Sequence, residues 1–411
     1  MQEKILNWID EDRDSIITFL QDFVRARSPN PPGDTRAPMR HVSSYLDAQG
    51  IAYDLVVRDE TMPNLVSSIS FGEGDRHLVL NGHIDVFPVV NEDEWSMPPW
   101  EGEIKDGAIY GRGIADMKVG TTASILTFVY LSRLALQLKG RLTLTVVSDE
   151  ETFGPNGARY LFDTIADQVS GTACLNGEPS SAETVRFGEK GAVWLRFTVV
   201  TPGGHGAYTH LSPSAIDNAY ALMADLRGFT KHTFTEPHPV TEALDACREA
   251  YDAAYGKGAS EVARKITMNV GTLKAGPKVN MIASRAVFEV DFRLPIGVDP
   301  DVLFVFIEGL RARHDFTVET LLCNAPNWIA PDNPLTEAVK RRAAEVVGIA
   351  PRDVTSLGNT DARLWRYRGV PAVVYGPSPS GMGSSDEHTP IEEALNVIRV
   401  HALSALDYLS N

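Results

Sequence analysis

The sequence predicts an α/β catalytic domain, a mostly parallel sheet with helices on both faces, interrupted by an inserted α+β module of antiparallel strands and helices. Three observations carry that prediction. Strand-like and helix-like runs alternate over residues 1–188 and resume over 302–411, the order that builds a parallel sheet with crossover helices. Residues 189–301 change character, with strands that alternate as exposed antiparallel pairs do. At 411 residues the chain is also too long for one small core.

Helical periodicity covers roughly residues 2–26, and "PMRHVSSYLDAQG" is a second helix closing on Gly50. Strands follow in "AYDLVV", "NLVSSI" and the apolar "RHLVLNGHIDV". "MKVGTTASILTFVYLSRLAL" is apolar all round, as a buried helix is. "GRLTLTVVSDEE" is a strand ending in acids, "GARYLFDTIADQV" a helix, and "TACLNGEPS" a short strand. In the inserted module, "KGAVWLRFTVVTPGGHGAY" alternates, and "ITMNVGTLKAG" with "RAVFEVDFRLPI" forms an antiparallel pair. Between them lie the helical "PSAIDNAYALMADLRGF" and a helical insert over 239–264. The α/β pattern resumes with "DVLFVFIEGLRAR", "LTEAVKRRAAEVVG", "PAVVYG" and a last helix, "IEEALNVIRVHALSALDYLS".

Composition narrows the function. A hydrophobic share of 43% with 22% charged residues is ordinary for a soluble enzyme. The net charge of −16 argues against a nucleic-acid or anionic-membrane surface, and carboxylate metal sites would add to the negative count. Cys174, Cys247 and Cys323 lie far apart, which excludes a thiolate zinc finger and argues against a disulfide framework. The acidic N-terminal helix lacks the basic start and apolar core of a signal peptide, and no run is apolar enough to span a bilayer. A cytoplasmic enzyme is expected.

In open α/β sheets, functional groups gather beyond the C-terminal ends of the strands. Three strand-like runs here finish in potential ligands: "LVLNGHID", "LTVVSDEE" and "ACLNGEPS". His83 and Asp85 face the same way on extended chain, so a carboxylate can hold the second nitrogen of a ligating imidazole. "YGRGIADMKVG" begins like a dinucleotide turn, but Asp116 would set a negative charge where pyrophosphate must sit. No acid follows before Asp149 to hold a ribose, and the nucleotide reading fails. Glu150 and Glu151 are neighbours whose side chains diverge, suiting one ligand and one base aimed at a metal-bound water. With Glu178 and His388, the candidate ligands are His83, Asp116, Glu151, Glu178 and His388. These mixed N/O donors suit Zn²⁺, Co²⁺ or Mn²⁺, and five fit two metals if one carboxylate bridges.

"GHIDVFP", "WEGEIKDGAIYGRGIADMKVG", "SDEETFGPNGARYL", "NGEPS", "GGHGAY", "DFRLP" and "DEHTPIEE" occur in one order over about residues 10–405. The chain thereby resembles the zinc-dependent metallopeptidase and amidohydrolase family of aminoacylase, acetylornithine deacetylase, succinyl-diaminopimelate desuccinylase and carboxypeptidase G. The resemblance implies that His83 and Glu178 hold one metal, His388 and Glu151 the other, and that Asp116 bridges them ahead of a cis peptide bond. It implies that Asp85 orients His83 and that Glu150 is the general base. His205 would stabilise the oxyanion from the neighbouring subunit of a homodimer built through the inserted module. Arg293 and Asn280 would hold a substrate carboxylate, and "GNTDAR" (358–363) and the glycines before His388 would line the cleft. The implied reaction is hydrolysis of an N-acyl amino acid, with an exopeptidase, dipeptidase or amidine-type hydrolase as alternatives. "SSDE" before His388 and the long insert near 239–264 depart from the pattern and leave the substrate open.

Overall fold

The computed structural model describes residues 1–135 and 138–410. Among them, nine strands form the main sheet. Its centre is parallel: Arg141–Val147, His77–His83, Ala173–Asn176 and Ala372–Val374 run side by side. Antiparallel strands finish both sides, Asn64–Ser70 and Asp54–Val56 on one, and Thr184–Glu189 with Asn327–Trp328 on the other. Arg352–Ser356 adds in parallel to Thr184–Glu189.

Strand alternation builds a core on each face. Leu78, Leu80, Leu142, Leu144 and Leu175 pack on one side under the helices Val119–Ser132 and Ile391–Ser410. Val79, Val147, Cys174 and Val374 pack on the other, under Ala158–Val169 and Trp365. The helix Val119–Ser132 is buried on nearly every side, matching its all-round apolar sequence. The sequence extends this helix over 117–136. It ends at Ser132, and Leu136 lies outside the described residues. The first helical stretch divides at Asp12 into Gln2–Glu11 and Arg13–Arg25. Among the described residues, no helix is long and apolar enough to cross a membrane.

The second unit is a four-stranded antiparallel sheet in the order Thr267–Ala275, Arg285–Leu294, Gly191–Val200, Thr317–Asn324. The sequence boundary at 301 falls inside it. "DVLFVFIEGLRAR" forms the helix Pro300–Leu310, whose Leu303, Ile307 and Leu310 share one core with Phe197, Phe288 and Leu222. Strand 317–324 then hydrogen-bonds along 191–200. Helix propensity read this segment correctly, but only packing says which sheet it covers. The insert at 239–264 differs in the opposite sense. Its helices His238–Ala246, Arg248–Tyr255 and Ala259–Ala263 bury Val240, Leu244 and Tyr251 against Phe187 and Val354 of the main sheet.

Candidate metal centre

The C-terminal ends of the parallel strands meet as the strand rule requires. His83 ends one strand, Glu150 and Glu151 follow a second, and Glu178 follows a third. Asp116 comes from the turn ahead of the buried helix. Gly113 lies there at φ 84°, and a Cβ on it would meet Val86 Cγ1 at 2.2 Å. The Asp116–Met117 peptide is cis, as the resemblance implies. The helix start comes so close to the third strand that a Cβ at Gly120 would stand 1.8 Å from the Gly177 carbonyl oxygen. That approach sets Asp116 beside Glu178.

His83, Asp116 and Glu178 offer ligand atoms within 4.8 Å of one another. His83 Nε2 lies 3.3 Å from Asp116 Oδ1, 3.4 Å from Glu178 Oε1 and 3.9 Å from Glu150 Oε2. Glu151 and His388 stand outside this tight trio. His388 pairs with Tyr110 in a small separate sheet and stacks on its ring at 4.8 Å. Its Nδ1 donates to the Asp386 carbonyl at 2.8 Å, which leaves Nε2 for a ligand.

Asp85 acts otherwise than its sequence position suggests. His83 Nδ1 donates to the Asp85 backbone carbonyl at 2.9 Å, while the carboxylate stands 3.6 Å away. That carboxylate instead accepts from the backbone N–H of Glu150 (3.2 Å) and of Glu151 (3.1 Å), and from Asn30 Nδ2 (2.8 Å). It therefore positions the two acids of the next strand as well as the imidazole.

Four buried polar atoms here have no hydrogen-bond partner: His83 Nε2, Asp116 Oδ1, Glu150 Oε1 and Glu151 Oε1. Buried orphans of this kind are costly in an apolar interior. Three carboxylates and an imidazole turned toward one another are the donor set of a divalent cation, so the residues fit a metal. The electrostatics agree. Burial first, then Asp116, push Glu178 up to about 7. Burial and the Glu178 charge hold Glu150, and burial and the Asp116 charge hold Glu151, well above the usual carboxylate range. For His83 burial opposes the charged form, but its contacts with Asp116 and Glu178 outweigh it and raise the pKa well above the usual value. Bound cations supply the positive charge that lets such acids ionise together.

The cluster floors a cavity of about 640 Å³. Arg293 stands on its wall, with Nε 2.9 Å from Asp291 Oδ1, and Gly358, Asn359 and Thr360 of the "GNTDAR" loop line it too. His205 and Asn280 do not line this cavity. They lie exposed on a two-residue ladder, where Gly204–His205 pairs with Met281–Ile282 and Gly206 N–H donates to the Asn280 carbonyl at 2.8 Å.

Several residues that sequence reasoning did not single out shape the site. Arg112 and Glu387 form a buried ion pair at 2.5 Å, and Glu387 Oε1 also accepts from Ala115 N (3.0 Å) and Asp116 N (3.2 Å). The pair ties the His388 strand to the backbone of Asp116. Asn30, followed by two cis prolines, links Asp85 to Asp149. Arg363, the last residue of the "GNTDAR" loop that the resemblance already sets in the cleft, has Nη1 3.8 Å from Glu150 Oε1, and Arg186 is a buried part of the cavity wall. Glu387 carried a visible signal beside His388. The others have partners tens to hundreds of residues away.

A parallel-sheet domain whose strand ends gather carboxylates and imidazole, joined to an antiparallel second unit, defines a metal-dependent hydrolase of amide bonds. Residues 79–407 match the sequence profile of peptidase family M20/M25/M40, and the chain belongs to that family. It is 28% identical to a succinyl-diaminopimelate desuccinylase of Roseobacter denitrificans over 341 residues, 80% of this chain and 82% of that one. Its fold is similar to that of an M20-family metallo-carboxypeptidase from Sulfolobus solfataricus, at TM-score 0.80 and 17% identity over 96% of this chain and 99% of that one. It is also similar to human carnosine dipeptidase 1, at TM-score 0.75 and 16% identity over the whole of both chains.

Proposed function

We propose that the protein hydrolyses the amide bond of N-acyl amino acids at a site holding two divalent cations, zinc foremost with cobalt or manganese as alternatives. The observation that carries this reading is the convergence of four buried donor atoms without hydrogen bonds, from His83, Asp116, Glu150 and Glu151, beneath a cavity with an arginine on its wall. The similarity to a desuccinylase supports the acyl-amino-acid class. His83 and Glu178 would hold one cation, Glu151 and His388 the second, with Asp116 shared. Bound there, the metal supplies the Lewis acidity that polarises an amide carbonyl and lowers the pKa of water.

The chain's own residues supply the rest. Glu150, buried and with Oε1 free of hydrogen bonds, takes a proton from the attacking water and returns it to the leaving amine as the C–N bond breaks. Arg293 takes the substrate's carboxylate, the group a guanidinium fork matches, and so fixes the carbonyl's position. His205 acts on the developing oxyanion from the neighbouring subunit of a homodimer, and Asn280 joins Arg293 at the substrate carboxylate. The exposure of His205 outside its own chain's cavity supports action in trans, as do the exposed Tyr208, Leu211, Tyr220 and Val279 on the same unit. The inserted unit is the dimerisation domain in this reading, and the enzyme works in the cytoplasm.

The test is a screen of N-acetyl and N-succinyl amino acids and dipeptides on Zn²⁺- and Mn²⁺-loaded protein, with a chelator control. Turnover of acyl amino acids that stops on chelation is expected. Turnover of dipeptides alone would replace this reading with an exopeptidase, and activity surviving exhaustive chelation would sink the metal mechanism.

A further inference from the structure

The turn that carries the base and one candidate ligand is bounded by two residues in the left-handed region. Asp149 lies at φ 64° and Phe153 at φ 51°, one on each side of Glu150 and Glu151. That backbone is costly for any residue with a side chain, and most of all for a bulky one. Asp149 compensates locally. Its carboxylate accepts from Thr152 Oγ1 at 2.7 Å, the Asn156 N–H at 3.0 Å and Asn30 Nδ2 at 3.1 Å. Short polar side chains that bond nearby groups are the ones that enter this region readily. Phe153 has no polar side chain to do the same. Its N–H donates to the Glu150 carbonyl at 2.7 Å, which ties its conformation to the base.

The compensation open to Phe153 lies in its ring. Trp194 of the second unit packs against it, with ring centroids 5.6 Å apart and planes at 56°. The Arg363 guanidinium, whose Nη1 is 3.8 Å from Glu150 Oε1, lies over the same ring at 5.0 Å. Trp194 stands on the strand Gly191–Val200 directly opposite Asp291, so it shares the sheet face that carries Arg293. The Phe153 ring thereby joins the turn of Glu150, the guanidinium beside that acid and the wall of the second unit. Aromatic and cation–π contacts of this kind are comparable in strength to the left-handed penalty they offset.

We propose that Phe153 is a positioning residue for the general base: its ring couples the seating of the second unit to the turn that presents Glu150. The proposal rests on the reading of Glu150 as base given above and adds what holds that base in place. With Trp194 against the ring, the turn is retained and Glu150 keeps its place in the cavity wall. Without that contact the turn relaxes, and a base displaced by about 1 Å loses up to roughly 100-fold in rate. Phe153 and Trp194 also line the cavity, so direct contact with substrate is the rival role.

The test uses the full chain loaded with zinc, and two readouts. Hydrogen exchange of a peptide covering 149–156, followed by mass spectrometry, reports the turn without any turnover. Phe153→Leu and Trp194→Leu should each raise exchange there roughly tenfold and the double variant no further, while Phe153→Tyr should restore protection. In turnover of N-acetylalanine and N-succinylalanine, both single variants should lose about tenfold in kcat, equally for the two amides, with KM and metal content within about twofold of wild type. Phe153→Gly, free of the left-handed penalty, should melt no lower than Phe153→Leu and yet turn over no faster. A loss confined to KM, or one that differs between the acyl groups, would overturn the proposal in favour of substrate contact. Additive effects on exchange, or an unmoved turn in Trp194→Leu, would remove the coupling to the second unit. Loss of metal in the single variants would overturn it too, assigning Phe153 to the support of Glu151. If the native protein cleaves neither amide but the exchange pattern holds, the amidase reading falls and the coupling stands. Wild-type kcat in both single variants would leave the amidase reading in place and sink the coupling.

Discussion

Replacing Glu387 by alanine should loosen the metal centre from behind. Glu387 is fully buried and holds Arg112 at 2.5 Å, while its other oxygen accepts from the backbone N–H groups of Ala115 and Asp116. Breaking a buried ion pair by removing one partner costs about 3–5 kcal/mol, because the surviving charge is stranded. Arg112 keeps a bond to the Ser384 carbonyl at 2.9 Å and its place over the Trp95 ring, so the lower end, about 3 kcal/mol, applies. The two stranded N–H groups add about 1 kcal/mol each where water does not reach them, for a total of roughly 5 kcal/mol. Guanidinium unfolding midpoints of Glu387→Ala, Arg112→Met and the double variant would measure this. The double variant should recover about 2 kcal/mol relative to the sum of the singles, the signature of a shared pair. Metal affinity should fall in Glu387→Ala, since Asp116 loses its backbone anchor. Strict additivity, or a loss below about 1 kcal/mol, would refute the assignment of this pair as the clamp between the His388 strand and Asp116.

Gly120→Ala should yield little folded, metal-competent protein, because the added Cβ meets the Gly177 carbonyl at 1.8 Å and parts the helix from the strand that carries Glu178; purification with wild-type metal content would contradict the packing argument. His401 is fully buried, donates Nε2–H to the Tyr375 carbonyl at 2.6 Å and leaves Nδ1 without a partner, so burial lowers its pKa from 6.5 to about 4. With the folded value below the unfolded one, its contribution is whole above pH 6.5 and lost as pH falls toward 4, up to roughly 3 kcal/mol. His401→Gln should flatten that part of the stability–pH curve, and an unchanged slope would contradict the assignment. Inactive His205→Ala and Glu150→Gln proteins, mixed and allowed to exchange subunits, should regain activity at one of the two sites of each mixed dimer; no recovery despite demonstrated exchange would place His205 in its own chain's site.

What could be read in the sequence and what could not follow from the same physics. His83, Glu150, Glu151 and Glu178 were legible because a parallel sheet presents its strand ends together, so three local patterns sufficed. Asp116 needed only the failure of the nucleotide fingerprint. The role of Asp85 was legible in place but not in detail: two backbone N–H groups some sixty-five residues away compete for its carboxylate, and no local pattern records them. The boundary of the second unit was misjudged because Pro300–Leu310 is a good amphipathic helix wherever it lies, and its partner face is set by Phe197 and Phe288. Arg112, Asn30 and Arg186 were invisible for one reason: an isolated Arg or Asn in a loop or strand carries no signal until its partners are known.

The central claim is that His83, Asp116 and Glu178 hold metal while Glu150 moves the proton. Elemental analysis and turnover measured together on Glu150→Gln and Asp116→Asn test it most directly. Glu150→Gln should keep wild-type metal content and lose roughly 10²–10⁴-fold in kcat, while Asp116→Asn should lose metal and activity together. Turnover within tenfold of wild type in Glu150→Gln, or full metal retention in Asp116→Asn, would contradict the account.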